Sequence, residues 1–229
     1  RSFPYKRFAQ YGFIFSIGFF KKAVISDTFS QFIDPVFADA MQYDPGSQIL
    51  AVFLYAVQIY CDFSGYTDMA IAVAGLLGYE FLRNFNAPYL AKSITDFWRR
   101  WHISLSSWLK DYLYIPLGGN RKGDAKTYRN LMITMGLGGL WHGASWNFVI
   151  WGILHGAALS FEKYLFGLRN RSPENPFHLS FFPGLLYSIV TFLFVCLCWI
   201  FFRAEGFADA FTMIHSIFLW DSAGTEILP

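Results

Sequence analysis

The sequence predicts an all-α polytopic membrane protein. Its 229 residues are 55% hydrophobic and 21% aromatic but only 15% charged, with a mean hydropathy of +0.34, whereas soluble domains carry about 25% charged residues. The 27 Phe, 13 Tyr and 8 Trp supply more ring surface than a small aqueous core can bury, and lipid-facing helices and interfacial belts absorb such rings readily. The run from Phe181 to Phe202 carries no charge and ends at Arg203. At 1.5 Å per residue it reaches roughly 33 Å and crosses the hydrocarbon core. A net charge of +2 is too small to point to nucleic acid. Cys61, Cys196 and Cys198 lie in apolar stretches without the spacing of a disulfide framework or a zinc site, and are expected to be buried thiols. The chain begins at Arg1 with no signal-peptide pattern and reads as part of something longer.

The elements follow in order. Tyr11 to Ile25 is a short apolar helix candidate ending near Lys21 and Lys22. Ile49 to Tyr79 is apolar but interrupted by Asp62 and Asp68, which predicts two helical pieces flanking a polar break inside protein. Arg83 to Arg129 is the basic part of the chain and faces the cytoplasm by the positive-inside rule. Within it, Ser93 with Asp96 resembles a capping box, and Ile94, Phe97, Trp98, Trp101, Leu105, Trp108, Leu109 and Tyr112 recur with helical period. That pattern is an amphipathic helix at the interface, closed by a turn at Pro116, Gly118, Gly119 and Asn120. Arg129 and Glu162 bracket a glycine-rich uncharged stretch too long for one perpendicular helix, so it is tilted, bent or re-entrant. Lys163, Arg169 and Arg171 put the following loop on the cytoplasmic side as well, which favours a re-entrant or doubly crossing segment. Ser172 to Pro183 reads as a loop.

His142 lies in the middle of the uncharged stretch, flanked by Gly139 and Gly143 and by Trp141, Ser145 and Trp146. An ionisable side chain in an apolar span is expensive enough to suggest function, the alternative being a neutral imidazole hydrogen-bonded between helices. A neutral imidazole can take a proton from a hydroxyl. His102 lies on the amphipathic helix between the Trp-rich face and a side carrying Thr95, Arg99, Ser106 and Lys110; it is either an interfacial histidine or a functional one. His155 follows His142 by 13 residues. On one regular helix that spacing turns it roughly 140° away, so the two share a site only if the helix breaks. Asp62, Tyr66 and Asp68 either orient a histidine or hydrogen-bond between helices. Ser145 reads as a small helix-interface residue rather than a nucleophile. No metal-ligand pattern is present, and Leu117 to Gly123 lacks the phosphate-loop spacing. Residue chemistry alone leaves an enzyme or a transporter.

Five ordered segments sharpen this: Gln58-Ile59-Tyr60-Cys61-Asp62-Phe63-Ser64-Gly65-Tyr66-Thr67-Asp68, Asn84-Phe85-Asn86-Ala87-Pro88-Tyr89, Phe97-Trp98-Arg99-Arg100-Trp101-His102, Asp111-Tyr112-Leu113-Tyr114-Ile115-Pro116-Leu117-Gly118-Gly119-Asn120-Arg121 and Leu140-Trp141-His142-Gly143-Ala144-Ser145-Trp146. Together they resemble the membrane-bound O-acyltransferase (MBOAT) family, specifically its alginate O-acetylation branch, which also includes peptidoglycan O-acetyltransferases. The resemblance runs from about Phe19 to about Arg203. It implies a many-helix bundle with re-entrant and amphipathic helices around a funnel, of which residues 1–229 are a part. It also implies a multi-pass protein of the bacterial inner membrane, with His142 and His102 matching the two family histidines. The implied donor is cytosolic acetyl-CoA, with no metal. The implied acceptor is a cell-surface polysaccharide, alginate-like or peptidoglycan, reached with an extracytoplasmic acetyltransferase partner.

On that reading His142 is the general base, and His102 positions the thioester or protonates the departing thiolate. Asp62, Tyr66, Asp68, Trp141, Ser145 and Trp146 orient these groups or line the funnel, while Arg99, Arg100, Arg121 and Lys122 meet the phosphates of coenzyme A. The alternatives are D-alanyl transfer from a carrier-protein thioester to teichoic acid, a non-catalytic transporter, and a purely structural segment.

Overall fold

A computed structural model of the protein describes residues 5–168, 181–220 and 224–228. In chain order the helices are α1 (Tyr5–Phe19), α2 (Asp27–Ala38), α3 (Pro45–Leu77), α4 (Ile94–Arg100), α5 (Ile103–Leu109), α6 (Asp124–His142), α7 (Trp146–Leu168), α8 (Phe181–Arg203) and α9 (Phe207–Leu219). Among the described residues there is no strand, only an isolated parallel bridge between Tyr43 and Glu226. The all-α expectation therefore holds, and α3 and α8 are long and apolar enough to cross a membrane. Arg169, Arg171 and most of the expected Ser172–Pro183 loop lie outside the described residues, while Phe181–Pro183 open α8. The chain divides into two compact units, residues 1–84 with 211–229, and residues 85–210.

In the first unit, α1 runs without interruption through a π-helical turn, Phe20–Ser26, into α2. The helix does not end at Lys21 and Lys22 as expected, because both lysines pair with carboxylates of α3. Lys21 Nζ lies 2.7 Å from Asp68 Oδ2, and Lys22 Nζ donates to Asp62 Oδ1. The same pairs correct the expected polar break between Ile49 and Tyr79. With a cation drawn to each carboxylate, Asp62 and Asp68 do not compete with the main-chain ladder, and α3 continues through them for 33 residues. That is about 50 Å of helix, more than the hydrocarbon thickness, so α3 tilts or projects beyond it. Asp44 caps its start by accepting from the Gly46 and Ser47 N–H groups at 2.8 and 3.2 Å, with Pro45 in the first position. Gly18 and Gly65 let α1 and α3 approach closely: a Cβ on either would lie 2.6 Å from the other's carbonyl oxygen.

In the second unit, the single amphipathic helix expected from Ile94 to Tyr112 is two seven-residue helices, α4 and α5, followed by a π-helical turn at Lys110–Tyr114. The break falls at Trp101 and His102. Ser93 caps α4 as expected, its Oγ accepting from the Asp96 N–H at 3.0 Å. The Asp96 carboxylate turns instead to the Lys92 N–H at 3.1 Å and the Arg100 Nε–H at 2.8 Å. Glu162 of α7 adds a second cap, accepting from the Thr95 N–H and Oγ–H at 2.9 and 3.0 Å.

The turn after α5 is held from below by buried Asn130, whose amide donates to the Leu117 and Gly119 carbonyls at 3.3 and 3.1 Å. The uncharged stretch, expected to be tilted, bent or re-entrant, folds back on itself. α6 ends at His142, Gly143–Ser145 turn, and α7 returns. Gly139 and Gly152 lie at backbone contacts of this hairpin, where a Cβ would meet the Phe148 and Met135 carbonyls respectively. Asn147, 3% exposed, ties α7 to the end of α8 by donating to the Ala204 carbonyl at 2.8 Å. Cys61, Cys196 and Cys198 are buried free thiols, as expected.

Candidate active site

His142 is the last residue of α6, so its side chain projects where the helix stops rather than from within it. Gly143 permits the turn: a side chain there would come within 2.7 Å of the Phe148 ring. The Ser145 N–H donates to the Gly143 carbonyl at 2.9 Å, and Ser145 Oγ accepts from the Asn147 N–H at 3.3 Å. Ser145 thus helps start α7, and this hydrogen bond favours the reading of it as a structural residue.

Rings surround the half-buried His142 imidazole. Trp151 and Phe202 meet it edge-on with centroids at 5.3 and 5.1 Å, Trp141 does so at 5.1 Å, and Phe148 lies tilted at 6.1 Å. Trp141 and Trp146 are 65% and 75% exposed and flank the turn. Aromatic walls keep water away from part of an imidazole without tying up its nitrogens, a setting suited to a base.

His102 occupies the break between α4 and α5 with φ +44° and ψ +56°, the left-handed region that a side chain with a Cβ seldom adopts. Burial pushes its pKa down to about 4. His102 is therefore neutral at pH 7, and in the second unit Trp151 packs on His142 at 5.3 Å and on Trp98, one turn before His102, at 5.7 Å. The left-handed backbone separates two effects of substitution. His102→Gly is expected to raise thermal stability by about 1 kcal/mol of relieved strain, while any function of the imidazole is lost with it. A melting curve and an activity assay on the same preparation check both.

His155 meets the condition set for it, a helix that breaks. Because the helix breaks after His142, His155 joins the same aromatic cluster, with Trp151 between the two imidazoles. Asp62, Tyr66 and Asp68 belong to the first unit, where the two carboxylates hold Lys22 and Lys21 and Tyr66 is 65% exposed.

The four polar residues expected on one side of the amphipathic segment, Thr95, Arg99, Ser106 and Lys110, all line one cavity of about 470 Å³. Asn120, Tyr114 and Thr134 extend its polar lining, and Trp98, Leu131, Met135 and Leu159 its apolar part. Of the four cations expected to meet phosphate, Arg99 is on this wall. Arg100 is tied to Asp96 and to the Asn86 carbonyl at 3.4 Å, and Arg121 and Lys122 stand exposed in the pinned turn. Lys110 was expected on this side but not as a phosphate-binding cation, Asn120 only as a turn residue, and Thr134 not at all. Lys110 was legible from its 11-residue spacing from Arg99, three helical turns; the other two arrive from distant segments. Among the described residues no group of His, Cys, Asp and Glu is placed to hold a metal ion.

Comparison with known proteins bears on the whole arrangement. Residues 2–204 match the MBOAT, membrane-bound O-acyltransferase, family. The chain is 46% identical over 220 residues to a probable alginate O-acetylase, AlgI, of Pseudomonas aeruginosa, covering 95% of this chain and 40% of that protein. It is 46% identical over 214 residues to a peptidoglycan O-acetyltransferase of Helicobacter pylori, covering 93% and 39%. It is 30% identical over 177 residues to a teichoic acid D-alanyltransferase of Bacillus subtilis, covering 69% and 42%. The chain thus spans about two fifths of the length of these relatives. A match over most of its residues, joined to an all-helical structure with membrane-length helices, makes the chain a member of the membrane-bound O-acyltransferase family.

Proposed function

We propose that the protein containing this chain is an O-acyltransferase of the bacterial inner membrane. It moves acetyl groups from cytosolic acetyl-CoA toward hydroxyls of a cell-surface polysaccharide, alginate-like or peptidoglycan, with an extracytoplasmic partner completing delivery. The observation that carries this reading is the pairing of His142 and His102. Each stands at a helix break of the second unit, and Trp151, which packs on His142, also packs on Trp98 one turn before His102, in a chain whose relatives include an O-acetylase and an O-acetyltransferase by name.

In the step we propose, neutral His142 takes the proton of the acceptor hydroxyl as its oxygen attacks the thioester carbonyl. The carbon–sulfur bond breaks, and the departing thiolate takes up the proton that His142 received, relayed by way of His102 or water, so that both histidines end neutral. Asp62, Tyr66, Asp68, Trp141 and Trp146 remain candidates for orienting or lining the path. The cavity beside α4 and α5 suits the donor: its cations could meet phosphate, and its apolar part could hold a thin chain.

Arg99 and Lys110 are therefore expected to act on binding. Arg99→Ala and Lys110→Ala should each raise KM for acetyl-CoA about tenfold with little change in kcat, the pattern of lost uniform binding. Unchanged KM in both would remove the donor from this cavity.

The decisive experiment supplies labelled acetyl-CoA or a D-alanyl carrier protein separately to the full-length protein in proteoliposomes. Consumption of acetyl-CoA with label appearing on polysaccharide supports the proposal. Consumption of the carrier thioester alone would select the D-alanyl reading favoured by the teichoic acid relative. Movement of a substrate with no thioester consumed would select transport.

A further inference from the structure

His155 has no role in the step just described, and its surroundings are costly for a residue that only packs. It is fully buried. Its Nδ1 accepts from the Trp98 indole N–H at 3.3 Å, so the neutral ring carries its proton on Nε2. Nε2 is buried without a hydrogen-bond partner among the described residues. Such a group loses hydration without compensation, and a phenylalanine of similar shape would fill the same space at lower cost. Stability alone does not account for an imidazole here.

Its contacts lead to both candidate catalytic histidines. On one side Trp98 lies on α4, one turn before His102. Phe97, which stacks on His155 at 6.1 Å and 10°, also stacks on Trp101 at 5.7 Å and 16°, the residue next to His102. On the other side Trp151 meets His155 at 5.0 Å and 67° and His142 at 5.3 Å and 85°. Trp151 is 2% exposed and has little freedom to move by itself.

We propose that His155 is a positioning residue: through its hydrogen bond from Trp98 and its contact with Trp151, one buried imidazole registers the His102 break against His142. The inference rests on the reading that these two histidines carry the transfer. A hydrogen bond supplies what apolar packing lacks, a direction, and so fixes α4 in rotation as well as in distance. Misplacement of reacting groups by about 1 Å is enough to cost on the order of 10²-fold in rate.

The test uses the full-length protein in proteoliposomes with labelled acetyl-CoA. His155→Phe keeps ring volume and removes the acceptor. It is expected to lower kcat by about 10- to 100-fold with KM for acetyl-CoA within about twofold, at equal or higher thermal stability. His155→Asn places an acceptor oxygen near the Nδ1 position and should recover kcat to within about threefold of wild type. Trp98→Phe removes only the donor side, and the Trp98→Phe/His155→Phe pair should be no slower than the slower single variant, since both remove one hydrogen bond.

Wild-type kcat in His155→Phe, or additive losses in the pair, would overturn the proposal. If His155→Phe fails to fold, Trp98→Phe decides, because unchanged kcat there removes the hydrogen bond from the argument. His142→Ala is run alongside. If it too turns over normally, the acyltransfer reading falls. If it is inactive while His155→Phe is wild type, only the positioning role falls.

Discussion

His142→Ala is expected to reduce acetyl transfer by at least about 10²-fold and by up to about 10⁴-fold, the contribution of a positioned base. The structure supports using alanine as the probe. His142 ends α6, alanine is the best helix former, and no described hydrogen bond depends on the imidazole, so α6 and the turn at Gly143 should persist. The loss falls on ring contacts with Trp151, Phe202, Trp141 and Phe148, worth about 1 kcal/mol in stability. Release of free coenzyme A from labelled acetyl-CoA, measured in membranes carrying equal amounts of inserted protein, reads the effect. Normal turnover in the variant would end the assignment of His142 as the base. Rapid quenching of the wild type adds a second reading, since label retained on the protein would indicate a covalent acyl-histidine instead of base catalysis.

The second large effect is structural. Gly139→Ala and Gly152→Ala are each expected to destabilise the α6–α7 hairpin by about 3 kcal/mol, the upper part of the range for overpacking. A methyl group on Gly139 would run into the Phe148 carbonyl, with the Gly152 Cα only 3.3 Å away, and one on Gly152 would meet the Met135 carbonyl and lie 3.2 Å from the Gly136 Cα. These neighbours are backbone, so relief requires α6 and α7 to separate, which moves His142 and the rings around it. Gly136 provides the control. Its Cβ would meet nothing within 4 Å, so Gly136→Ala should be neutral or stabilising by up to about 1 kcal/mol. Melting temperatures of the three variants in detergent test the contrast. Equal behaviour of all three would show that the hairpin does not depend on backbone contact at these glycines.

What the amino-acid order determined by itself is what short-range chemistry and hydropathy encode. The uncharged run ending at Arg203 is α8, the Ser93 cap and the Pro116–Asn120 turn fall where they were expected, and the length of the Arg129–Glu162 stretch excluded one straight perpendicular helix, leaving tilt, bend or re-entrance open. The side of the amphipathic segment carrying Thr95, Arg99, Ser106 and Lys110 became a cavity wall because helical period survives, on average, the break at His102.

Tertiary structure decided the rest, wherever a residue's partner lies far away in the chain. α3 runs through Asp62 and Asp68 because Lys22 and Lys21 meet them from 40 and 47 residues away. Arg100, one of four cations alike by composition, is occupied by Asp96 and Asn86. His155 belongs with His142 because α7 doubles back on α6, which no helical wheel drawn along one axis can show. His102 takes a left-handed backbone against its local preference, strain that a chain tolerates only where surrounding contacts outweigh it.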